Sequence, residues 1–111
     1  MRPPPDPLGE FEQLVLLALL LLGDHAYGVA MSNEIAQRTG RDVSVGSVYK
    51  TLERLETKGY VSTIVGEPTA ERGGRRKKFF RLEPAGSRAL KHSLRALDRM
   101  TADLAWTWRE S

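Results

Sequence analysis

The run LVLLALLLL at positions 14–22 constrains the fold more than any other feature, because nine consecutive residues are apolar. The apolar positions recur at helical spacing and predict a helix over residues 8–22. Nine residues are far fewer than the roughly 20 needed to span a bilayer, so no membrane contact is expected. A helix that is apolar nearly all round must be covered on several sides. In a chain of 111 residues, we expect a second copy to supply part of this cover.

Two more helices are predicted before the sequence pattern changes. The first spans residues 28–39, and Gly40 is a good C-terminal stop. The second opens at Ser44, whose side chain can accept a hydrogen bond from the backbone N–H of Ser47. Its apolar positions step by 3, 4 and 3 residues and define one buried stripe, formed by Val45, Val48, Leu52 and Leu55. This helix is expected to end at Lys58 and Gly59.

A hairpin is predicted next, because the apolar period changes to that of a strand. Residues 60–68 are β-branched and aromatic, and residues 76–82 read as their partner. Alternation places Lys78, Phe80 and Leu82 on one face of the second strand, opposite Lys77, Phe79 and Arg81. At least one phenylalanine should anchor this strand to the helices. The two strands are joined by a polar loop with a long basic tip.

The last helix is predicted from Pro84, which suits a first turn, to about residue 109. Its apolar residues fall on two heptad positions, Leu90, Leu97 and Leu104 on one and Leu94 and Trp108 on the other, where Thr101 is the one polar member. A seam of about three heptads normally packs against another helix, which favours a homodimer. The expected organisation is a disordered proline-rich tail (1–7), a domain of three helices and a hairpin (8–83) and a C-terminal dimerisation helix (84–111).

Charge is distributed unevenly along the chain. The net charge is −3 over residues 1–40, +4 over residues 41–83 and +2 over residues 84–111, which sums to the overall +3. A concentrated positive region suggests a polyanionic partner. Cysteine is absent and the two histidines are scattered, so neither a metal site nor a cofactor is expected, and an enzyme is disfavoured. No secretory signal is visible, which favours a cytoplasmic protein.

Three helices followed by a basic hairpin form the winged helix-turn-helix arrangement, mainly α with a small β-hairpin. The N-terminal residues of a recognition helix usually reach base edges in the major groove. The face predicted to be exposed there carries Ser44, Ser47, Tyr49, Lys50, Thr51 and Arg54, and Gly46 would permit close approach. Ser44 can equally be a simple helix cap. The hairpin tip would bring cations to phosphates, with candidates Arg72, Arg75, Arg76, Lys77, Lys78 and Arg81 and with Gly73 and Gly74 permitting the turn. A solvated charged hairpin, or a winged helix that binds RNA or docks a protein, is the alternative.

Several motifs together resemble the PadR-like transcriptional regulators: LGEFEQLVLLALL, AYGVAMSNEI, GSVYKTLERLETKGYV, GEPTAERGGRRKKFFRL and AGSRAL. The resemblance covers residues 8–90 and implies a dimeric repressor of an inverted-repeat operator in double-stranded DNA. It implies that Tyr49 and its neighbours lie at the major groove, and that Tyr27 lies near DNA or braces the motif. The last helix would cross to the other subunit near the first helix, with a dimer interface formed by Phe11, Leu14, Leu90, Leu94, Leu97, Leu104 and Trp108. Small aromatic effectors occur in the family, and Trp106 and Trp108 would either line a ligand cavity or, as we favour, cover the dimer core.

Overall fold

The computed structural model describes residues 6–68 and 76–104. These residues form four α-helices, two strands and two short 3₁₀ turns: α1 (Glu10–Leu22), a 3₁₀ turn (Gly23–His25), α2 (Gly28–Thr39), α3 (Val45–Thr57), β1 (Val61–Pro68), β2 (Arg76–Leu82), α4 (Pro84–Thr101) and a second 3₁₀ turn (Ala102–Leu104). The predicted order of three helices, a hairpin and a C-terminal helix is confirmed. Of the predicted tail, residues 1–5 lie outside the described part of the chain.

The core is built around α1, which the chain covers more completely than its apolar sequence suggested. Val15 and Leu16 are fully buried, and α1 contacts α2, α3, β2 and α4. Leu20 and Leu21, at its C-terminal end, remain 53% and 55% exposed. The most exposed apolar residues of α1 therefore lie in its last turns. Among the described helices, none is long and apolar enough to cross a membrane.

Helix α3 is held rigidly between its neighbours. Val48, Leu52 and Leu55 of the predicted stripe are fully buried, whereas its first member, Val45, is half-buried. The turn before α3 is fixed by a hydrogen bond of 2.8 Å that the Ser32 hydroxyl donates to the carbonyl of Val43. Such a tie between α2 and the incoming chain limits the orientations that α3 can take.

The hairpin is antiparallel, with Val61 opposite Leu82 and Ile64 opposite Phe79. Phe80 is only 5% exposed, which confirms that a phenylalanine anchors β2 to the helices. The Phe80 N–H also donates to the carbonyl of Ala26 at 2.9 Å, and Tyr27 forms an isolated bridge with Phe79. The segment before α2 therefore extends the sheet by one isolated bridge. The sequence analysis did not predict this bridge.

Helix α4 begins with Pro84 in its first turn, as predicted. Gly86 lies directly against the backbone carbonyl of Tyr60, and the Glu83 N–H donates to that same carbonyl at 2.9 Å. The start of α4 is therefore fixed to the start of the hairpin. The helix ends at Thr101, and the predicted continuation to residue 109 lies outside the described residues beyond Leu104.

Candidate nucleic-acid interface

The N-terminus of α3 is capped by its own serines. The Ser44 hydroxyl accepts from the Ser47 N–H at 3.1 Å, which confirms the predicted cap. The Ser47 hydroxyl donates to the Ser44 carbonyl at 2.8 Å. Gly46 is exposed between them, and a Cβ at this position would meet no atom within 4 Å. The first turn is therefore both ordered and open, and the N-terminus of a helix favours a phosphate or another anion.

Two basic side chains extend from the exposed face of α3. Lys50 is exposed, and the Arg54 guanidinium donates to the Thr51 hydroxyl at 3.3 Å. Neither cation forms an ion pair with a described acidic residue. Both charges are therefore available to an anionic partner.

Thr51 was predicted to lie on the exposed face of α3, and this prediction is wrong, because only 2% of the residue is accessible to solvent. It lies three residues after Val48 and four before Leu55, so it shares the buried side of the helix. Counting a single apolar stripe underestimated this side, because α3 packs against both α1 and α2. Thr51 therefore cannot contact DNA directly, although its hydroxyl can orient Arg54.

Tyr49 is half-buried, whereas the sequence placed it on the exposed face. Its ring lies 6.3 Å from that of Phe80, centroid to centroid. It also fills the space over Gly28, where an added Cβ would lie 2.6 Å from the tyrosine hydroxyl oxygen. Tyr49 thus packs α3 against α2 and β2, and any contact with DNA would involve a ring that the fold already holds in place.

Tyr27 lies at the N-cap position of α2 with its ring edge-on to Phe79. The two centroids are 5.9 Å apart and the rings are inclined by 79°. This contact favours the bracing role among the two alternatives raised for Tyr27. This ring contact and the backbone bridge between the same two residues join the start of α2 to the second strand of the hairpin.

The candidate phosphate-binding residues of the hairpin lie largely outside the described part of the chain. Arg72, Gly74 and Arg75 lie outside the described residues. Arg76 and Lys77 belong to the first part of β2. Nearer the helices, Lys78 is exposed, with its ammonium 5.7 Å from the centroid of Phe80. Arg81 is also exposed. The hairpin therefore brings positive charge next to α3 even at its described base.

A partly buried ion pair joins α1 to the C-terminal end of α3, and the sequence analysis missed it. The Glu12 carboxylate accepts from the Lys58 ammonium at 3.1 Å and from the Gly9 N–H at 2.9 Å. Burial raises the pKa of Glu12, but these two hydrogen bonds and the nearby positive charges of Lys58 and Arg54 outweigh it and lower the pKa overall. The two residues are 46 positions apart in the sequence, so a local sequence pattern could not predict this ion pair.

The described residues among those predicted for dimerisation fall into three groups, which differ in how far each side chain is buried within its own protomer. Leu90 is 3% exposed and is buried within its own protomer, so the prediction that it faces a partner is wrong. Phe11, Leu14 and Leu94 are half-buried and pack against the protomer core. Leu97 and Leu104 are 53% and 52% exposed, as a dimer contact would need, and the sequence overlooked Met100 beside them at 76%. Trp106 and Trp108 lie outside the described residues.

Comparison with known proteins agrees with this geometry. The family model of the transcriptional regulator PadR-like family matches residues 16–92. The chain is 33% identical over 81 residues to the transcriptional regulator Rv3488 of Mycobacterium tuberculosis, an alignment that covers 73% of this chain and 71% of that protein.

Solved structures show the same fold. A PadR family transcription regulator from Clostridium difficile R20291 superposes with a TM-score of 0.68 at 17% identity, covering 88% of this chain and 98% of that one. The protein smu.1704 from Streptococcus mutans UA159 gives a TM-score of 0.61 at 26% identity, covering 91% and 92%. The family model matches most of the chain, and the capped helix α3 lies beside a basic hairpin. The chain therefore belongs to the PadR-like transcriptional regulators, which are winged-helix DNA-binding proteins and not enzymes.

Proposed function

We propose that this regulator is a cytoplasmic repressor that binds a palindromic operator as a homodimer. The observation that carries the proposal is the way α3 is packed and capped. Three fully buried side chains and a serine cap hold the helix, so that Ser47 and Lys50 project from a fixed backbone. Sequence reading requires such rigidity, because a bidentate contact to a base edge depends on position.

Within this proposal, the polar residues of the interface have separate tasks. Ser44, Ser47, Lys50 and Arg54 meet the major groove and its flanking phosphates. Tyr49 and Tyr27 hold α3 and the hairpin in register through their contacts with Phe80 and Phe79. The cations and glycine of the hairpin tip, Arg72, Gly74, Arg75, Arg76 and Lys77, neutralise backbone phosphates, which adds affinity without sequence information.

A complementary pair of apolar surfaces supports the homodimer. A groove of about 200 Å³ lies between α1 and α2, lined by apolar side chains that include Leu14, Leu21 and Ile35. Two exposed leucines, Leu97 of α4 and Leu104 of the 3₁₀ turn that follows it, have no cover among the described residues. We propose that the end of α4 from one protomer lies in the groove of the other. Twofold symmetry would then place two copies of α3 on an inverted repeat.

Selection of bound duplexes from a random pool tests the operator proposal. The expected product is an inverted repeat whose half-sites are about 10 base pairs apart, one helical turn. A pool that shows no enrichment over a selection without protein would contradict it and favour the RNA-binding or protein-docking alternative. Sedimentation at micromolar concentration tests the dimer, and a stable monomer there would contradict that part of the proposal.

A further inference from the structure

Helix α4 carries a row of basic side chains that the proposed function does not use. This α4 basic stripe lines one shallow groove of about 390 Å³ and consists of Arg88, Lys91, His92, Arg95 and Arg99. The spacing of three and four residues places all of them on one face of the helix. The opposite face, with Ala89, Leu90 and Ser93, is buried against the core. The stripe is therefore the outer surface of the protomer along α4.

No described acidic residue lies within ion-pair distance of the four arginines and lysines of the stripe, whereas three other cations in or next to the helices have such a partner. Arg38 pairs with Glu34, Arg41 with Glu10, and Lys58 with Glu12. Among described helical residues, the arginines and lysines without such a pair are the two on the exposed face of α3 and the four of the stripe. The stripe thus shares its electrostatic state with the surface assigned to DNA.

This arrangement has a cost in the isolated protomer. Lys91 and Arg95 are four residues apart, as are Arg95 and Arg99, and like charges at this spacing destabilise a helix. Asp98 is the one acidic residue of α4, and it forms no ion pair with the cations of the stripe. A polyanion lying along the stripe would remove this repulsion.

The dimensions of the stripe suit a nucleic-acid backbone. From Arg88 to Arg99 the helix rises about 16 Å, at 1.5 Å per residue. Over that distance B-DNA presents roughly nine or ten phosphates, one per 1.7 Å of axis. Four long, flexible cations can therefore each reach a phosphate without a particular base sequence.

We infer that the α4 basic stripe is a second, sequence-independent docking surface for the phosphates of duplex DNA outside the operator. The inference rests on the proposed function, which brings the protein to DNA through α3 and the hairpin. The stripe adds contacts only when the bound duplex extends beyond the segment that α3 and the hairpin cover. It makes affinity depend on duplex length, and it does so without changing which sequence is read.

The test compares a short operator duplex of about 24 base pairs with one of about 44, since two half-sites and their immediate flanks fill the short one. Affinity is measured by fluorescence anisotropy between 50 and 200 mM salt, with the wild type and the variant Arg88→Gln/Lys91→Gln/Arg95→Gln/Arg99→Gln. Four phosphate contacts contribute about 3.6 to the salt slope. On the long duplex, the wild type should therefore lose roughly 100-fold more affinity over this salt range than the glutamine variant. On the short duplex, the two proteins should behave alike.

A charge-retaining variant, Arg88→Lys/Arg95→Lys/Arg99→Lys, is the matched control and should keep the wild-type length dependence. Equal salt slopes for the wild type and the glutamine variant on the long duplex would overturn the inference. Loss of the dimer by the glutamine variant in sedimentation would also overturn it, because the stripe would then face a second copy. Random-sequence duplexes of the same two lengths separate the two proposals. A length effect that depends on the stripe supports the inference even if no operator is found.

Discussion

Replacing Gly86 with alanine should destabilise the fold, because α4 touches the hairpin at this position without room for a side chain. A Cβ on Gly86 would lie 2.8 Å from Cδ1 of Leu82 and 3.0 Å from the carbonyl carbon of Tyr60, and it would be closer still to the Tyr60 carbonyl oxygen. Ordinary carbon–carbon contacts are about 3.5–4.0 Å. The start of α4 would therefore have to move away by roughly 1 Å, against the hydrogen bond that joins Glu83 to Tyr60.

The expected cost follows from two opposing effects. Overpacking of this kind costs about 1–3 kcal/mol. Alanine is better than glycine within a helix by up to about 1 kcal/mol, which offsets part of it. The backbone atoms of Tyr60 cannot rotate aside as a side-chain end can, so we expect the upper part of the range. The net loss should be about 1–2 kcal/mol, or roughly 4–16 °C in Tm for a domain of this size.

Gly46→Ala provides the matched control, because it makes the same substitution in the first turn of α3. A Cβ there meets nothing within 4 Å, so only the gain in helix propensity remains and stability should rise by up to about 1 kcal/mol. Urea unfolding of both variants at one protein concentration measures the difference. Equal stability of Gly86→Ala and the wild type would refute the close packing of α4 on the hairpin.

Three further predictions concern the interface and its supports. Glu12→Gln should lower stability by about 1 kcal/mol at neutral pH. Because the folded pKa of Glu12 is depressed, the contribution of its carboxylate is present above the unfolded pKa and is lost as the pH falls through the folded pKa, so thermal unfolding of the variant and wild type should converge in acid. Ser44→Ala should cost about 1 kcal/mol in urea unfolding and Ser44→Gly only a few tenths, and equal losses would argue against the cap. Tyr49→Ala should reduce both stability and operator preference, whereas Tyr49→Phe, which keeps the ring on Phe80, should retain the stability; a folded, fully stable Tyr49→Ala would contradict the packing of that ring.

Local pattern was sufficient to predict the elements of the fold. The steps of 3, 4 and 3 residues in α3, the glycine after α2 and the proline that opens α4 all act over a few residues, and each has the predicted place in the structure. The alternation in β2 likewise placed Phe79 and Phe80 on opposite faces, and the burial of Phe80 confirms that at least one phenylalanine anchors the strand.

Features that depend on distant contacts were not predictable in the same way. Thr51 is polar, but two neighbouring helices bury it, which a single stripe does not show. The bridge between Tyr27 and Phe79 involves one residue of an otherwise irregular segment and has no sequence signature. Leu90 belongs to a regular heptad seam, yet the core of its own protomer covers it first. In each case, the arrangement of elements decided what the side chain contacts.

The most direct test of the central claim, that α3 reads sequence, is the ratio of affinities for a selected operator and a random duplex, measured for Lys50→Ala. Lys50 is exposed, so its removal should leave the fold intact, unlike that of Tyr49. Loss of one good base contact costs about 1–3 kcal/mol, so the ratio should fall by roughly 5- to 160-fold. Lys78→Ala, an exposed lysine on β2, is the control and should weaken binding to both duplexes by the same factor. If Lys50→Ala also weakens both equally and leaves the ratio unchanged, Lys50 contacts only phosphate and the claim for this face of α3 is contradicted.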